Sequence, residues 1–410
     1  MSGFFYDYQK AILSQTLMPD SYMPFNIPLH QLDTPVVKKA TGADGVLWST
    51  AAALRDGSRE SEPEPPQGIL FQDDFNSQSD WDSGLAENDL GGIPNGLPDT
   101  VQSVERGHTL PAGWDYVYQV PTVAESLGDT GKREVINIKA SDAGKAKDGA
   151  GKCFVQQRVA SGGDGNWKSD GQLFKILEAA YQSLYVEFEI AFDPGWTFLD
   201  NGDMSKIFRA FSWNGQQPLE SAFPDGNQGP LFVWDWQHNA YGVRSKMALR
   251  GGPWGDNYYL TGAQEGTVPS SGSINYSDMI QGMGPGGANP QLVDKLNGGF
   301  LPSSGLVEHP QVFGNTGQYT KVGFFLQMNS AAGVADGVIK HWIDGQRVGN
   351  YTGIMWVPSL TQGLTEIPGW NVVSIGGNDW FKAYPEEDQV QEWYAIDNIV
   401  IRSDLPEGLE

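Results

Sequence analysis

The chain has 410 residues, of which 26 are Lys or Arg and 50 are Asp or Glu, so its formal net charge is −24. This acidic balance argues against nucleic acid as a partner, because phosphate contacts need clustered cations. No apolar run approaches the roughly 18 residues of a membrane span, so no membrane-spanning helix is expected. The 52 Gly, 25 Pro and 14 Trp favour a fold rich in strands and loops.

Residues 1–67 differ from the rest of the chain. They show no basic segment followed by an apolar core, so we expect synthesis in the cytoplasm without a signal peptide. They end in "RDGSRESEPEPPQ", a charged and Pro-rich linker. We interpret the segment as an extended arm that docks on another chain through Phe4, Phe5, Tyr6 and Phe25. The alternative is an arm that folds back on its own domain.

From Gly68 onward the sequence predicts strands. "QSLYVEFEIAFD" at 182–193 alternates apolar and polar residues, which is typical of a half-buried antiparallel strand. "IDGQ" at 343–346 joins two strand-like runs, and Asp-Gly is the strongest local hairpin signal. The predicted strands and hairpin cover 69–75, 182–193, 205–213, 230–239, 244–250, 319–330, 337–353, 370–378 and 392–403.

These strands do not alternate with helices, which predicts an all-β fold: a two-sheet antiparallel jelly-roll sandwich led by the extended arm. The predicted domain spans 68–404, followed by a tail at 405–410. Long inserted loops are expected at about 101–170 and 251–318, with one short helix at 289–298. The first strand, "ILFQDDF", is expected to pair with the last, "YAIDNIVIRS".

Five segments carry a family resemblance: "ILFQDDF", "LYVEFEIAFD", "KVGFFLQMNS", "GVIKHWIDGQRVGNYTGIMW" and "AIDNIVIRSD". Their order resembles the concanavalin A-like lectin/glucanase jelly-roll superfamily, and most of all its polysaccharide-lyase-like branch. The resemblance implies binding or cutting of glycans on one sheet. It also implies a structural calcium ion where the first and last strands meet, with Asp73, Asp74 and Asp397 as hard oxygen ligands. The Glu-x-Asp-x-x-Glu strand of the glucanases does not occur, so hydrolysis by that route is not expected.

A basic row at 244–250 is the main binding candidate. Arg244, Lys246 and Arg250 alternate along one predicted strand face of a very acidic protein. Arg can bind the carboxylates of an acidic polysaccharide with two hydrogen bonds. The alternative is that the row pairs with Glu187 and Glu189 on a neighbouring strand.

A polysaccharide lyase needs a group that neutralises the uronate carboxyl and a base that takes the adjacent proton. The aromatic residues of "FVWDWQH" at 232–238 either stack on sugar rings or fill the core. The candidate catalytic residues are Tyr185, His238, Lys246 and Gln327. The candidate substrate-binding residues are Glu187, Glu189, Trp236, Arg244, Arg250 and Asn329.

Two functions follow from these features. The first is a virion-associated structural or adhesive protein, in a capsid decoration, fibre or tail, because the chain with its arm resembles a phage virion component. Its arm would bind other virion proteins in an oligomer, and its jelly roll would bind surface polysaccharide at the virion surface. The alternative is a polysaccharide lyase that cleaves an acidic polysaccharide by β-elimination.

Overall fold

A computed structural model describes sixteen parts of the chain. They are residues 68–82, 110–119, 134–159, 166–196, 204–215, 219, 228–239, 242–254, 258–259, 273–275, 293–299, 301, 306–315, 317–381, 387 and 391–409. The arm expected at 1–67, with Phe4, Phe5, Tyr6 and Phe25, lies outside the described residues.

The described residues form seventeen strands and one short helix, numbered here in chain order. The strands are β1 (Ile69–Asp73), β2 (Trp81–Asp82), β3 (Tyr116–Gln119), β4 (Ile136–Ile138), β5 (Phe154–Val159), β6 (Asn166–Tyr181), β7 (Ser183–Phe192), β8 (Met204–Trp213), β9 (Gln228–Asn239), β10 (Gly242–Gly251), β11 (Tyr258–Tyr259), β12 (Ser273–Asn275), β13 (Thr320–Gln327), β14 (Gly337–Ile343), β15 (Gln346–Ile354), β16 (Trp370–Phe381) and β17 (Gln391–Arg402). The helix is α1 (His309–Phe313), and two 3-10 turns span Ala140–Lys145 and Lys147–Gly149.

The strands form two antiparallel sheets. Sheet A has the order β15-β14-β13-β7-β17-β5-β4-β2, with β1 also paired to β17. Sheet B has the order β11-β10-β9-β8-β16-β6-β3, with β12 also paired to β10. The two-sheet antiparallel jelly-roll sandwich predicted from the sequence is therefore confirmed. The predicted pairing of the first and last strands is also confirmed, with Phe71 opposite Ile401.

The core lies between the sheets and is rich in aromatic rings. Phe188 of β7 contacts Trp234 of β9 at a centroid distance of 5.9 Å, and Phe208 of β8 stacks on Phe324 of β13 at 5.2 Å. Trp234 and Trp236 are fully buried, so this side of β9 faces the core. Asp235, between them, must face outward because strand residues alternate.

Two segments differ from the sequence expectation. Residues 101–170, expected to be an inserted loop, contribute β3, β4, β5 and the start of β6. These strands are short or lack alternation, so periodicity did not reveal them. In the segment expected to be a helix at 289–298, the described residues 293–299 form a bridge and turns. Gly298 and Gly299 both have φ of +75°, which ends regular structure there.

A β-bulge in β8 determines which side chains share the outer face of sheet B. Lys206 lies opposite Asp235 and Phe208 lies opposite Trp234, so Ile207 is the extra residue. Without the bulge, Lys206 and Arg209 would point to opposite faces, because they are three residues apart. With it, both lie on the outer face. Bulges often re-aim a side chain in this way next to functional sites.

Candidate anion-binding site

A row of opposite charges crosses the outer face of sheet B. Asp235 of β9 lies directly between Lys206 of β8 and Lys246 of β10 in the strand register. Its side chain is 2% exposed, and its Oδ2 lies 3.9 Å from Lys246 Nζ. Oppositely charged residues facing each other across antiparallel strands attract one another. The other carboxylate oxygen, Oδ1, has no hydrogen-bond partner in the described part of the chain.

Arg209 lies one row away on the same face, opposite Val233 and Ser374. The residue is 4% exposed. Its Nη2 lies 3.4 Å from Asn378 Oδ1, a long hydrogen bond, whereas Nε and Nη1 have no partner among the described residues. Buried guanidinium donors without partners are unfavourable, so such a group in a native fold calls for an explanation. An anion bound by this guanidinium would supply one.

Lys206, Arg209, Asp235 and Lys246 form a charged cluster on the outer face of sheet B, and burial changes its ionisation. Burial, together with the nearby charge of Arg209, lowers the pKa of Lys206 to about 8. Burial raises the pKa of Asp235, against an opposing effect of Lys246, Lys206 and Arg209. Burial likewise raises the pKa of Asp170 in β6, although the nearby charge of Arg209 acts to lower it. A lysine with a pKa of about 8 has a substantial neutral fraction from pH 8 upward and can then act as a general base.

A second polar layer lies behind β8, between the sheets. Arg158 of β5 forms an ion pair with Glu392 of β17, with 2.6 Å between Arg158 Nη2 and Glu392 Oε2. Arg158 Nη1 donates a hydrogen bond to Ser205 Oγ at 3.1 Å, and its guanidinium lies 3.7 Å from the ring centre of Trp196. Ser205 precedes Lys206 in β8, so this layer holds the strand that carries the candidate base.

Gln156 of β5 fixes the irregular part of β16 beside the site. The amide of Gln156 donates to the carbonyl of Gly377 and accepts a hydrogen bond from Gly377 N at 3.1 Å. The hydroxyl of Tyr394 donates to the same amide oxygen at 2.5 Å. A Cβ at Gly377 would overlap the carbonyl of Lys206, so β16 approaches β8 closely here because position 377 is glycine.

The candidates Tyr185, Glu187 and Gln327 lie on sheet A, apart from Lys246 on sheet B. Tyr185 donates from its hydroxyl to Glu187 Oε2 at 2.7 Å, and burial raises the pKa of Tyr185. Lys321 Nζ lies 2.6 Å from Glu187 Oε1. Tyr185 and Glu187 line a cavity of about 390 Å³ on the outer face of sheet A. The structure therefore does not bring the catalytic candidates together.

Glu189 pairs with Lys147 Nζ at 2.7 Å. Neither Glu187 nor Glu189 can pair with the basic row of 244–250, because they lie in different sheets. The alternative that the basic row pairs with these two carboxylates is wrong. Of that row, Lys246 joins the cluster around Asp235.

Two predicted binding residues are structural. Trp236 is fully buried and donates from Nε1 to His309 Nδ1 at 3.0 Å, so it cannot stack on a sugar. Asn329 is also fully buried, and its amide bonds the backbone of Ala331 and Val357. Alternation alone does not say which face of a strand is covered, so it left the side of Trp236 open and placed Asn329 on the wrong side.

The remaining sheet B candidates are distributed along β9 and β10. His238 lies opposite Val243, so it shares the inner face of the strand pair rather than the face of Lys246. Arg244 lies opposite Gln237, and Arg250 lies opposite Leu231. The sequence reasoning missed Lys206 and Arg209, because the bulge in "SKIFRAFSW" breaks the alternation that would have paired them.

The carboxylates expected to bind calcium already have protein donors. Asp73 accepts hydrogen bonds from Phe75 N, Gln78 Nε2 and Trp114 Nε1, all within 2.8 Å. Asp74 accepts from Asn76 N, and Asp397 accepts from Lys147 N and Asn398 N. Among the described residues, no three His, Cys, Asp or Glu side chains form a group that could hold a metal ion. These residues do not fit a calcium ion held by all three carboxylates.

Chelation with EDTA is therefore expected to leave the melting temperature of the protein unchanged. The physical reason is that hydrogen-bond donors of the protein itself, rather than an ion, satisfy the Asp73 carboxylate. Thermal unfolding with and without EDTA measures this. A fall in melting temperature that added calcium reverses, and added magnesium does not, would contradict the expectation.

Comparisons with known proteins bear on the fold alone. No family model matches the sequence, and no curated protein matches it. The chain is similar to the structure of an alginate lyase Aly36B mutant in complex with alginate tetrasaccharide, at 13% identity over 83% of this chain and 100% of that one, with a TM-score of 0.41. It is similar to alginate lyase vAL-1 from Chlorella virus at 12% identity, over 74% of this chain and 96% of that one, with a TM-score of 0.33.

A third similar structure is the carbohydrate recognition domain of Emp47p, at 10% identity over 73% of this chain and 92% of that one, with a TM-score of 0.32. Similarities at this level carry no argument about activity. The described helices include none long and apolar enough to cross a membrane. The described structure is a two-sheet jelly roll that carries on one outer face a buried guanidinium, Arg209, whose Nε and Nη1 have no partner among the described residues.

Proposed function

We propose that this protein binds an acidic polysaccharide on the outer face of sheet B and cleaves it by β-elimination. The observation that carries the proposal is the buried guanidinium of Arg209, which lacks partners at Nε and Nη1. It shares its face with Lys206, whose pKa burial lowers to about 8. An anion-binding group and a base of suitable pKa are the two parts that this reaction needs.

Arg209 and Lys206 have different roles in the proposed reaction. Arg209 pairs with the uronate carboxylate and stabilises the negative charge that spreads into it when the neighbouring C–H bond breaks. The neutral amine of Lys206 takes that proton. The electron pair left on carbon forms the new C=C bond as the glycosidic C–O bond breaks, and the departing oxygen takes a proton from water. The product is an unsaturated uronate.

Cleavage is expected to rise with pH through about 8. Lys206 must be neutral to act as the base, and its pKa lies at about 8 rather than at 10.5. Below that pKa the protonated fraction grows and the rate falls about tenfold per pH unit. Initial rates across pH 6–10, read from the ultraviolet absorbance of the conjugated C=C bond, measure this. A rate independent of pH over this range would contradict the assignment of Lys206.

The test of the function uses alginate, glucuronan and a bacterial capsule polysaccharide as substrates. Lys206→Met should abolish the appearance of unsaturated ends, because no other amine shares its position opposite Asp235 on β8. Lys340→Met is the matched control, since Lys340 lies over the Phe325 ring on sheet A. Absence of unsaturated product with every polymer, or equal activity of the two variants, would refute the lyase.

The virion-associated adhesive role predicted from the sequence stays a prediction, as do the oligomer and the docking of the arm. It needs binding of surface polysaccharide without cleavage. Retention of an acidic polysaccharide by the wild-type protein, with no unsaturated ends formed, would favour it over the lyase.

A further inference from the structure

The cluster on sheet B contains an unused acceptor as well as unused donors. Asp235 Oδ1 is buried and has no hydrogen-bond partner in the described residues, while Oδ2 faces Lys246 at 3.9 Å. An ionised carboxylate only accepts hydrogen bonds. A buried acceptor without a donor is unfavourable, so this oxygen indicates a ligand that supplies an O–H or N–H group.

The unused acceptor and the unused donors belong to one binding region. Arg209 lies opposite Val233 on β9, and Asp235 is two residues farther along the same strand on the same face. Diagonal neighbours of this kind lie roughly 7–8 Å apart, and their Cβ atoms are somewhat closer. Long side chains bridge that separation, so one sugar residue can contact both. Its carboxylate would bind Arg209, and a hydroxyl would lie at Asp235.

The cluster reaches solvent through its lysines. The side chain of Lys246 is 20% exposed, and Lys206 is half-buried. Asp235 lies between them in the register, deeper than either. Burial raises the pKa of Asp235, and the nearby charges of Lys246, Lys206 and Arg209 oppose that rise. A ligand group that enters past the lysines meets this carboxylate.

We propose that Asp235 makes the site specific for uronate residues with a free hydroxyl group and rejects residues acylated at that position. The inference rests on the proposed function and names the substrate class of the same site. Acylation replaces the O–H donor by an ester, whose oxygens are acceptors. The ester would leave Asp235 Oδ1 unpaired. It would also place the ester carbonyl oxygen against the Asp235 carboxylate in a buried site, where two acceptors repel each other. Sites built to bond a hydroxyl reject analogues that lack it far more strongly than apolar pockets reject extra bulk.

The expected preference of the wild-type protein for the deacylated polymer is roughly 10- to 100-fold, the effect of one unpaired buried group. Affinity is measured by calorimetry on one glucuronan preparation, of which one half is chemically O-acetylated and the other half is not. Lys206→Met serves as the background where cleavage would otherwise consume the polymer.

Three variants separate the possible causes in that background. Asp235→Asn can turn its amide N–H toward the ester, so the preference should fall to within about threefold. Asp235→Leu removes the acceptor altogether, and its melting temperature shows whether it folds. Glu187→Gln, on the outer face of sheet A, is the matched control and should keep the full preference.

Each outcome of the binding measurements either supports or overturns the role of Asp235. A preference that falls in Asp235→Asn and persists in Glu187→Gln supports the inference. Equal binding of the acetylated and unacetylated polymers by the Lys206→Met background protein would overturn the inference and leave the proposed function standing. A preference that persists unchanged in Asp235→Asn would overturn it as well. Absence of binding to either polymer by the wild-type protein would overturn the proposed function and the inference together.

Discussion

Arg209→Met is expected to lower turnover of an acidic polysaccharide by about 10²–10³-fold, the effect of removing one donor that stabilises developing charge. Arg209 is 4% exposed and leaves Nε and Nη1 without partners in the described structure. The Nε and Nη1 donors bond no described residue, so they are available to a ligand. The measurement is the initial rate of unsaturated-end formation.

Arg209→Lys should recover only part of this loss. A lysine restores the charge but offers a single point of contact instead of the planar pair of donors that matches a carboxylate. Arg402→Lys is the matched control, because Arg402 pairs with Asp404 at the end of β17 and lies in sheet A, apart from the site on sheet B. Its rate should equal that of the wild type.

Arg209→Met, which is expected to lower turnover, is not expected to lower the stability of the fold. Arg209→Met removes two buried donors, Nε and Nη1, that have no partner among the described residues, an unfavourable term of about 1–3 kcal/mol. Arg209→Met should therefore unfold at the same denaturant concentration as the wild type or at a higher one. Loss of turnover with retained or increased stability is typical of a residue kept for function. If Arg209→Met is instead strongly destabilised, the guanidinium is a structural group and the site assignment fails.

Sequence pattern predicted the fold best where one face of a strand is apolar. In β13, Val322, Phe324 and Leu326 recur at every second position, and all three are fully buried. In β9, Trp234 and Trp236 alternate equally well, yet the pattern alone left open which face was the core. That choice depends on sheet A lying against those rings, which is a tertiary contact and not a local property.

The pattern failed where both faces of a strand are covered. In β6, Leu173 and Phe174 are adjacent in sequence and both fully buried, one in the central core and the other in a cluster on the opposite face. Such a strand has no alternation and resembles a helix in periodicity. The candidate site was missed for a related reason. The bulge at Ile207 shifts the period within β8, and only the register with β9 places Lys206 beside Asp235.

The second large effect is expected in the polar layer behind the site. Glu392→Gln should destabilise the fold by about 3–5 kcal/mol, because it leaves the Arg158 charge buried without its counter-ion. Arg158 and Glu392 are 2% and 4% exposed, and 2.6 Å separates their charged atoms. Urea unfolding, followed by Trp fluorescence, gives the change in free energy.

A double substitution tests whether the effect comes from the pair or from the position. Arg158→Met combined with Glu392→Leu removes both charges, and buried ion pairs replaced by apolar residues of similar size often leave stability unchanged. The double variant should therefore be more stable than Glu392→Gln alone. A double variant as unstable as the sum of the single variants would mean that each side chain acts independently, and would contradict a coupled pair.

The double variant also separates stability from function. Arg158 Nη1 donates to Ser205 Oγ, and Ser205 directly precedes Lys206 in β8. Restoring stability with apolar residues does not restore that hydrogen bond, so the strand that carries the base loses one of its supports. We expect the double variant to fold but to turn over the polymer more slowly than the wild type, since small displacements of a catalytic group slow the reaction strongly. Wild-type rates in the double variant would show that Arg158 and Glu392 serve the fold alone.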